Sequence, residues 1–310
     1  MEDKLVFEQD DSFNNLVKKA KRKSLKRSIF ISIAVTISTL IIIWILLYVG
    51  QYFMYNQMEK DVDESLNYYS LYGANVYPSD SSFDYYFVAG KSTASAIKNV
   101  NNHAIAWEAR STFHTILGTK AQVGEPNSQS AGDVPYKNDH KVTQFHLPKE
   151  KAIHDDAAYL KSLPKYYSVE VALTFTEKES LSKVLDSFPT ASWFWVLDHE
   201  KERYADANST KEFVSEIPNL EKIDYSEVNG DNVIGFSLNE NTTMEQAVDY
   251  FKTMLEINPG HEDTYEMISE YESSEIPITG VILTGTVDEV LPYITNELVR
   301  VVRTGVIIPY

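Results

Sequence analysis

The sequence predicts an α+β protein in which a single transmembrane helix is followed by an extracytoplasmic mixed-sheet region with helices packed on one face. Three observations indicate this class. Residues 28–58 are 31 consecutive positions without an ionised side chain. The charge of the chain divides on the two sides of that stretch. From residue 168 onward, strand-like alternation is interleaved with helical periodicity, a pattern typical of a sheet covered by helices.

Composition excludes several classes of protein. The chain has 310 residues, a formal net charge of −17, 43% hydrophobic residues and no cysteine. It is too apolar to be disordered and long enough to bury one or two cores. The absence of cysteine excludes a disulfide scaffold and thiolate metal sites. The acidity argues against a nucleic-acid surface over most of the chain.

The apolar stretch has the length of a membrane span. Ile29–Val49 would form a helix about 31 Å long at ~1.5 Å per residue, close to the ~30 Å hydrocarbon core of a bilayer. A buried helix of a soluble protein would normally keep a polar stripe. A cleavable signal would have an apolar core of only ~7–15 residues. We therefore assign residues 28–55 as a transmembrane helix, with aromatic residues near its end suited to the membrane interface.

The flanking charges predict the orientation of this helix. Residues 1–27 hold eight Lys and Arg against five acids, whereas residues 59–310 hold 20 bases and 40 acids. Positive residues stay in the cytoplasm, so the amino terminus is expected inside and residues from about 56 onward outside, at the cell membrane. A basic run can also indicate nucleic-acid binding, but beside a span we expect no direct nucleic-acid partner. The topology-determining residues are Lys18, Lys19, Lys21, Arg22, Lys23, Lys26 and Arg27.

The cytoplasmic tail, residues 1–27, carries one apolar stripe. Cap-forming residues at 10–12 precede a helical pattern that could run into the span. The stripe is expected either to lie on lipid headgroups, helped by the lysines, or to dock a cytosolic partner. Its members, at helical spacing, are Phe13, Leu16, Val17 and Ala20.

Two extracytoplasmic domains are expected. Residues 56–165 are predicted to be β-rich, with short strands over 66–118 and a long loop at 119–140, where turn-forming residues crowd. A change in composition near Pro164 suggests the boundary.

Residues 166–310 have a clear α+β pattern. Strands are predicted at 168–175, 193–199 and 233–238. Capping boxes are predicted at Thr176 with Glu179 and at Thr242 with Glu245, the second helix being stopped by Gly260. An acidic helix is expected over about 262–273. The chain then ends in a strand, a short helix capped by Thr286, and a strand.

No residue pattern indicates catalysis, a cofactor or a metal. The seven histidines are scattered without metal-site spacing, and surface positions are favoured for them, with weak calcium binding or pH sensing as the alternative. Trp193 and Trp195 alternate with Phe194 and Val196, so at least one face of that strand should be core, although a ligand platform is the other interpretation. We expect no enzyme activity, and an ectoenzyme remains only a third hypothesis.

These segments resemble a family of single-pass membrane anti-sigma factors of Gram-positive bacteria, with sigma-factor-regulator amino-terminal and carboxy-terminal domains. The resemblance rests on residues 13–33, 58–64, 70–79, 168–175, 193–199, 233–236 and 279–310.

The resemblance implies that the cytoplasmic end holds an extracytoplasmic-function sigma factor at the membrane, while the outer domains sense envelope stress or stabilise the anchor. The partner-binding positions would then be the stripe residues of the tail, with a membrane co-regulator as an additional partner. The alternative is an extracytoplasmic envelope-binding module whose tail is only an anchor.

Overall fold

The computed structural model of the protein describes residues 11–123, 128–131, 134–147, 154–197, 227–238 and 242–309. Helix α1 covers Asp11–Leu71 without a break, so residues 11–27 and the apolar stretch form one helix about 90 Å long. Its most apolar 18-residue window has a mean hydropathy of 2.7, and the helix is long and apolar enough to cross a membrane. The described residues from 13 to 46 are all exposed.

The carboxy-terminal end of α1 packs on a four-stranded sheet. Met54, Met58, Val62 and Tyr69 are buried at roughly helical spacing, and they face this sheet. The strand pattern expected from residue 66 is therefore wrong up to Leu71, because the buried helical face continues to that residue. The antiparallel sheet has the order β1-β2-β3-β4, with β1 Val76–Tyr85, β2 Ala89–Val100, β3 His103–Thr115 and β4 Lys120–Val123.

The loop expected at 119–140 contains short strands. Besides β4, a three-stranded sheet is formed by β5 Ser128–Ala131, β6 Val134–Lys137 and β7 His140–Lys141. The prediction of one long loop is wrong because residues 128–131, 134–137 and 140–141 pair as strands. Asn138 and Asp139 both have positive φ, as in a two-residue hairpin turn. Residues 124–127 and 132–133 lie outside the described part.

The carboxy-terminal region is built on a five-stranded antiparallel sheet of order β12-β10-β13-β9-β14. The strands are β9 Ser168–Ser180, β10 Ala191–Val196, β12 Ile234–Ser237, β13 Pro277–Thr286 and β14 Val299–Ile308. A separate ladder pairs β8 Gln144–His146 with β11 Glu227–Asn229. The α+β class and the predicted strands of this region are confirmed.

Helices cover one face of the five-stranded sheet, as expected. They are α2 Ala157–Ser162, α3 Leu181–Ser187, α4 Met244–Ile257, α5 Glu262–Ser269 and α6 Val287–Val290. Phe194 and Val196 of β10 join their apolar core. On the opposite face, Trp193 and Trp195 pack with Phe145. Both faces of β10 are therefore core, and the ligand-platform interpretation of the tryptophans is wrong.

Helix ends differ from prediction in two places. The predicted cap at Thr176 is wrong, because β9 continues through Ser180 by pairing with β13. The capping box of α4 is formed by Thr243 with Gln246, one residue after the predicted pair. The predicted cap at Thr286 is confirmed, and the structure shows that it forms a capping box with Glu289.

Candidate functional site

The amino-terminal stripe of α1 is open. Phe13 is 66% exposed, Leu16 65% and Val17 36%, and Ala20 is exposed on the same helix. The structure thus places the four sequence-predicted partner residues on one continuous helix. An exposed apolar face of this kind is typical of a helix that binds in a partner's groove or lies on a lipid surface.

The basic residues share this helix. Lys18, Lys19, Lys21, Arg22, Lys23, Lys26 and Arg27 are all exposed. They lie within about three helical turns before the apolar stretch, where they can reach a headgroup layer.

The other end of α1 contacts the four-stranded sheet and the five-stranded sheet. After Leu71 the chain bends, and Tyr72 forms an isolated bridge with Ile234, the first residue of β12. The N–H of Gly73 donates to Val233 O at 3.0 Å, and that of Ala74 donates to Gly230 O at 2.7 Å. A shift of the helix end would therefore disturb the edge of the five-stranded sheet directly.

A cleft of about 470 Å³ lies beside this junction. Its walls come from α1, from β3 and β4, and from the turn between α4 and α5. Tyr72 Oη lies 2.6 Å from His261 Nε2, and the guanidinium of Arg110 stacks 4.0 Å from the ring centroid of Tyr68. The lining residues are Asp61, Glu64, Ser65, Tyr68, Tyr72, Arg110, Thr112, Lys120, Gln122, Asn258, Pro259 and His261.

A charged cluster adjoins the cleft through Arg110, which lines the cleft and donates a hydrogen bond to Glu108. Lys137 Nζ lies 2.6 Å from Glu108 Oε2 and 2.9 Å from Asp231 Oδ2. Burial alone would raise the pKa of Glu108, but hydrogen bonds from Lys137 and Arg110 outweigh it and hold this pKa below its ordinary value. The buried ring of Trp107 donates its indole N–H to Asp231. These residues hold β3, β6 and the segment before β12 together.

Sequence reasoning missed the buried polar groups. His114, His146 and His261 are buried, so the surface prediction is wrong for these three, while His103 and His154 are exposed. His199 lies outside the described residues. Lys98 and Glu170 are buried as an ion pair at 3.0 Å. Lys98 and Glu170 both stand at inward-facing strand positions. The strand alternation was therefore the signal in the sequence that could have predicted their burial.

The described residues contain no group of three or more His, Asp or Glu side chains that could hold a metal ion. They offer a surface stripe, an anchoring helix and a cleft at the helix junction. These features define a class: a membrane-anchored protein in which one long helix carries an α+β region.

Comparison with known proteins finds a family match in the carboxy-terminal part of the chain. Residues 160–306 match the family described as sigma factor regulator C-terminal. This match places the carboxy-terminal part of the chain in an anti-sigma factor regulator family, and it confirms the resemblance for that part. The family is regulatory, with a sigma factor as the implied partner. No curated protein and no solved structure matches the chain significantly.

Proposed function

We propose that the protein is a membrane-anchored anti-sigma factor that sequesters an extracytoplasmic-function sigma factor through its cytoplasmic amino-terminal segment. The observation that carries the proposal is the unbroken helix from Asp11 to Leu71, which joins an open apolar stripe to a sigma-regulator domain. The remaining regions then sense an envelope signal or stabilise the anchor.

The proposed arrangement follows the charge of the chain. Residues 1–27 lie in the cytoplasm, 28–55 cross the bilayer, and the domains 56–165 and 166–310 lie outside. The exposed basic residues before the span favour this orientation. Because the chain has no cysteine, single cysteines report it cleanly. In intact cells, an impermeant maleimide should label His103→Cys and leave Asn15→Cys unlabelled; the reverse pattern would exclude cytoplasmic binding.

The proposed contact with the sigma factor is helix-in-groove docking. Phe13, Leu16, Val17 and Ala20 present an apolar face at i, i+3, i+4 and i+7, the spacing of anchors in that mode. The described residues before the span belong to one helix, and the proposal includes a second membrane protein as co-regulator.

Gene deletion with complementation tests the function. Deletion should raise transcription from the promoters of one extracytoplasmic-function sigma factor, and the wild-type chain should restore repression. Leu16→Asp should not restore it, because a carboxylate would have to be buried in the groove. Asn15→Asp adds the same charge on the other side of the helix and is the matched control. Unchanged sigma regulons after deletion would refute the proposal.

The cleft at the helix junction favours a second candidate function, an extracytoplasmic envelope-binding module whose tail is only an anchor. Its volume, aromatic walls and mixed charges suit a small polar ligand. Replacing the tail with an unrelated basic anchor distinguishes the two. The deletion phenotype should be complemented if the tail only anchors, and it should persist if the tail holds the sigma factor.

A further inference from the structure

Two hairpin ends reach the level at which the apolar stretch of α1 ends. The turn between β1 and β2 contains Phe87 and Val88, and the turn between β3 and β4 contains Leu117. Gln51 Nε2 donates to Phe87 O at 3.1 Å, and Ile116 N donates to Val88 O at 3.1 Å. Both turns are thus tied to each other and to α1 two residues after Val49.

The approach of α1 to the second turn is close. A Cβ atom at Gly50 would lie 2.9 Å from Ile116 Cβ and 3.1 Å from Ile116 O, so glycine is required for this contact. Gly118 has φ +80°, a left-handed conformation that glycine adopts easily, and it closes the turn directly after Leu117. The turns are therefore held firmly beside the helix.

The ends of these turns are apolar and uncovered. Leu117 is 86% exposed, Phe87 71% and Val88 48%. Tyr85 and Tyr86 beside them are each 54% exposed. Exposed apolar side chains are common singly, but a cluster on adjoining turns marks an interaction surface.

The cluster is also free of charge. Residues 85–90, 115–119 and 47–58 contain no ionisable acid or base apart from tyrosine. Charged side chains begin just beyond each segment, at Asp84, Lys120 and Glu59. Three chain segments thus change from uncharged to charged at about the same height along α1, which is the pattern of a boundary between lipid and water.

Aromatic residues complete the layer. Tyr48, Tyr52 and Phe53 are each at least 60% exposed on α1. Tyr55 stacks on Tyr85 at 6.2 Å between ring centroids. Tyrosine rings prefer the headgroup level, where one end is apolar and the other is hydrated.

We propose that the two turns, defined here as the lipid-contact tips (residues 85–88 and 116–118), insert into the membrane interface beside α1. The occupant of this surface is the bilayer that α1 crosses, because the tips contact α1 within two residues of the end of the apolar stretch Ile29–Val49 and carry no charge. The four-stranded sheet would then contact the membrane region at three points, α1 and the two tips. These three contacts fix its orientation relative to the membrane. This surface goes beyond sigma-factor binding and does not depend on it.

Depth-dependent quenching tests the proposal on the full chain. Single variants Phe87→Cys and Leu117→Cys, each carrying an environment-sensitive fluorophore, are reconstituted into phosphatidylcholine–phosphatidylglycerol vesicles. Tyr48→Cys is the reference in the span. His103→Cys, exposed at the opposite end of the β2–β3 hairpin, is the control. Retained circular dichroism and thermal transition show that each variant is folded.

Lipids with a doxyl group high on the acyl chain should quench the labels at 87 and 117 nearly as much as the label at 48, with a blue shift in emission. The label at 103 should not be quenched. Quenching at 87 and 117 as weak as at 103 would overturn the proposal. A blue shift without quenching would also overturn it, since a protein contact would then cover the tips.

Discussion

At the scale of single residues, Glu170 ties the two regions together. Its carboxylate is 0% exposed and accepts hydrogen bonds from Lys98 Nζ at 3.0 and 3.1 Å. It also accepts from Asn75 Nδ2 at 3.2 Å and from Thr143 Oγ1 at 2.5 Å. These donors come from β2, from the segment after α1 and from the segment before β8. The Glu170 carboxylate therefore fixes the position of the five-stranded sheet relative to the four-stranded sheet.

Loss of the cation should be costly. Lys98→Met leaves Glu170 buried without its counter-charge, and we expect it to lower the free energy of unfolding of the globular region by about 3–5 kcal/mol. Chemical denaturation of the full chain in micelles, followed by tryptophan emission, measures this. The double variant Lys98→Met/Glu170→Met should recover much of the loss. A change below about 1 kcal/mol in the single variant would show that the pair does not stabilise the fold.

Asp156 should make stability depend on pH. Burial alone would raise the pKa of its carboxyl, but hydrogen bonds from Lys141 and from the N–H of Thr304 outweigh this and lower it. A carboxyl with a lowered folded pKa stabilises fully above its unfolded value of 3.8, and this contribution disappears as pH falls through the folded value. Unfolding curves from neutral to acid pH should show that loss. In Asp156→Asn the free energy of unfolding should fall less steeply as the pH becomes acid. The same decrease as in the wild type would contradict the role assigned to Asp156.

At the scale of elements, the cap of α6 shows a local pattern that works. Thr286 Oγ1 accepts from the N–H of Glu289 at 3.3 Å, while Glu289 Oε2 accepts from the N–H of Thr286 at 2.7 Å. The hydrogen bond from the Thr286 N–H also lowers the pKa of Glu289. Reciprocal bonds of this kind satisfy two helix-end donors.

Removal of this cap should have a moderate effect. We expect Thr286→Ala to lower the free energy of unfolding by about 1 kcal/mol. Thr286→Ser keeps the hydroxyl and should stay near the wild type in the same denaturation measurement. Equal losses in the two variants would mean that the methyl group, rather than the cap, carries the effect.

The same capping-box pattern gave a wrong prediction at Thr176 and Glu179, which shows what a local pattern cannot predict. Residues 176–180 continue β9 instead of starting a helix, because Glu179 and Ser180 pair with β13, about a hundred positions away in the sequence. The uninterrupted apolar run predicted the span within α1, helical periodicity predicted α4, and alternation predicted β9. The buried ions and histidines depend on which strands meet in space, which no local pattern contains. The tail residues of the candidate site were predicted from their spacing, whereas the cleft and its His261 were not.

At the scale of the whole molecule, α1 is the connection between the two ends. Its residues 13–46 are exposed, and its other end packs against the four-stranded sheet and β12. A signal that moves the sheets would reach the tail through a continuous helix. The carboxy-terminal region and the proposed sigma-binding stripe are therefore connected by one continuous helix.

The most direct test is binding of purified sigma factors to the full chain in lipid nanodiscs. The wild-type chain should bind one extracytoplasmic-function sigma factor of its host. Leu16→Asp should weaken that binding by about tenfold or more, since loss of ~1.4 kcal/mol is tenfold and a groove anchor contributes at least that. Asn15→Asp should bind like the wild type. If no sigma factor binds, or if Leu16→Asp binds as tightly as the wild type, the tail is not the partner-binding segment.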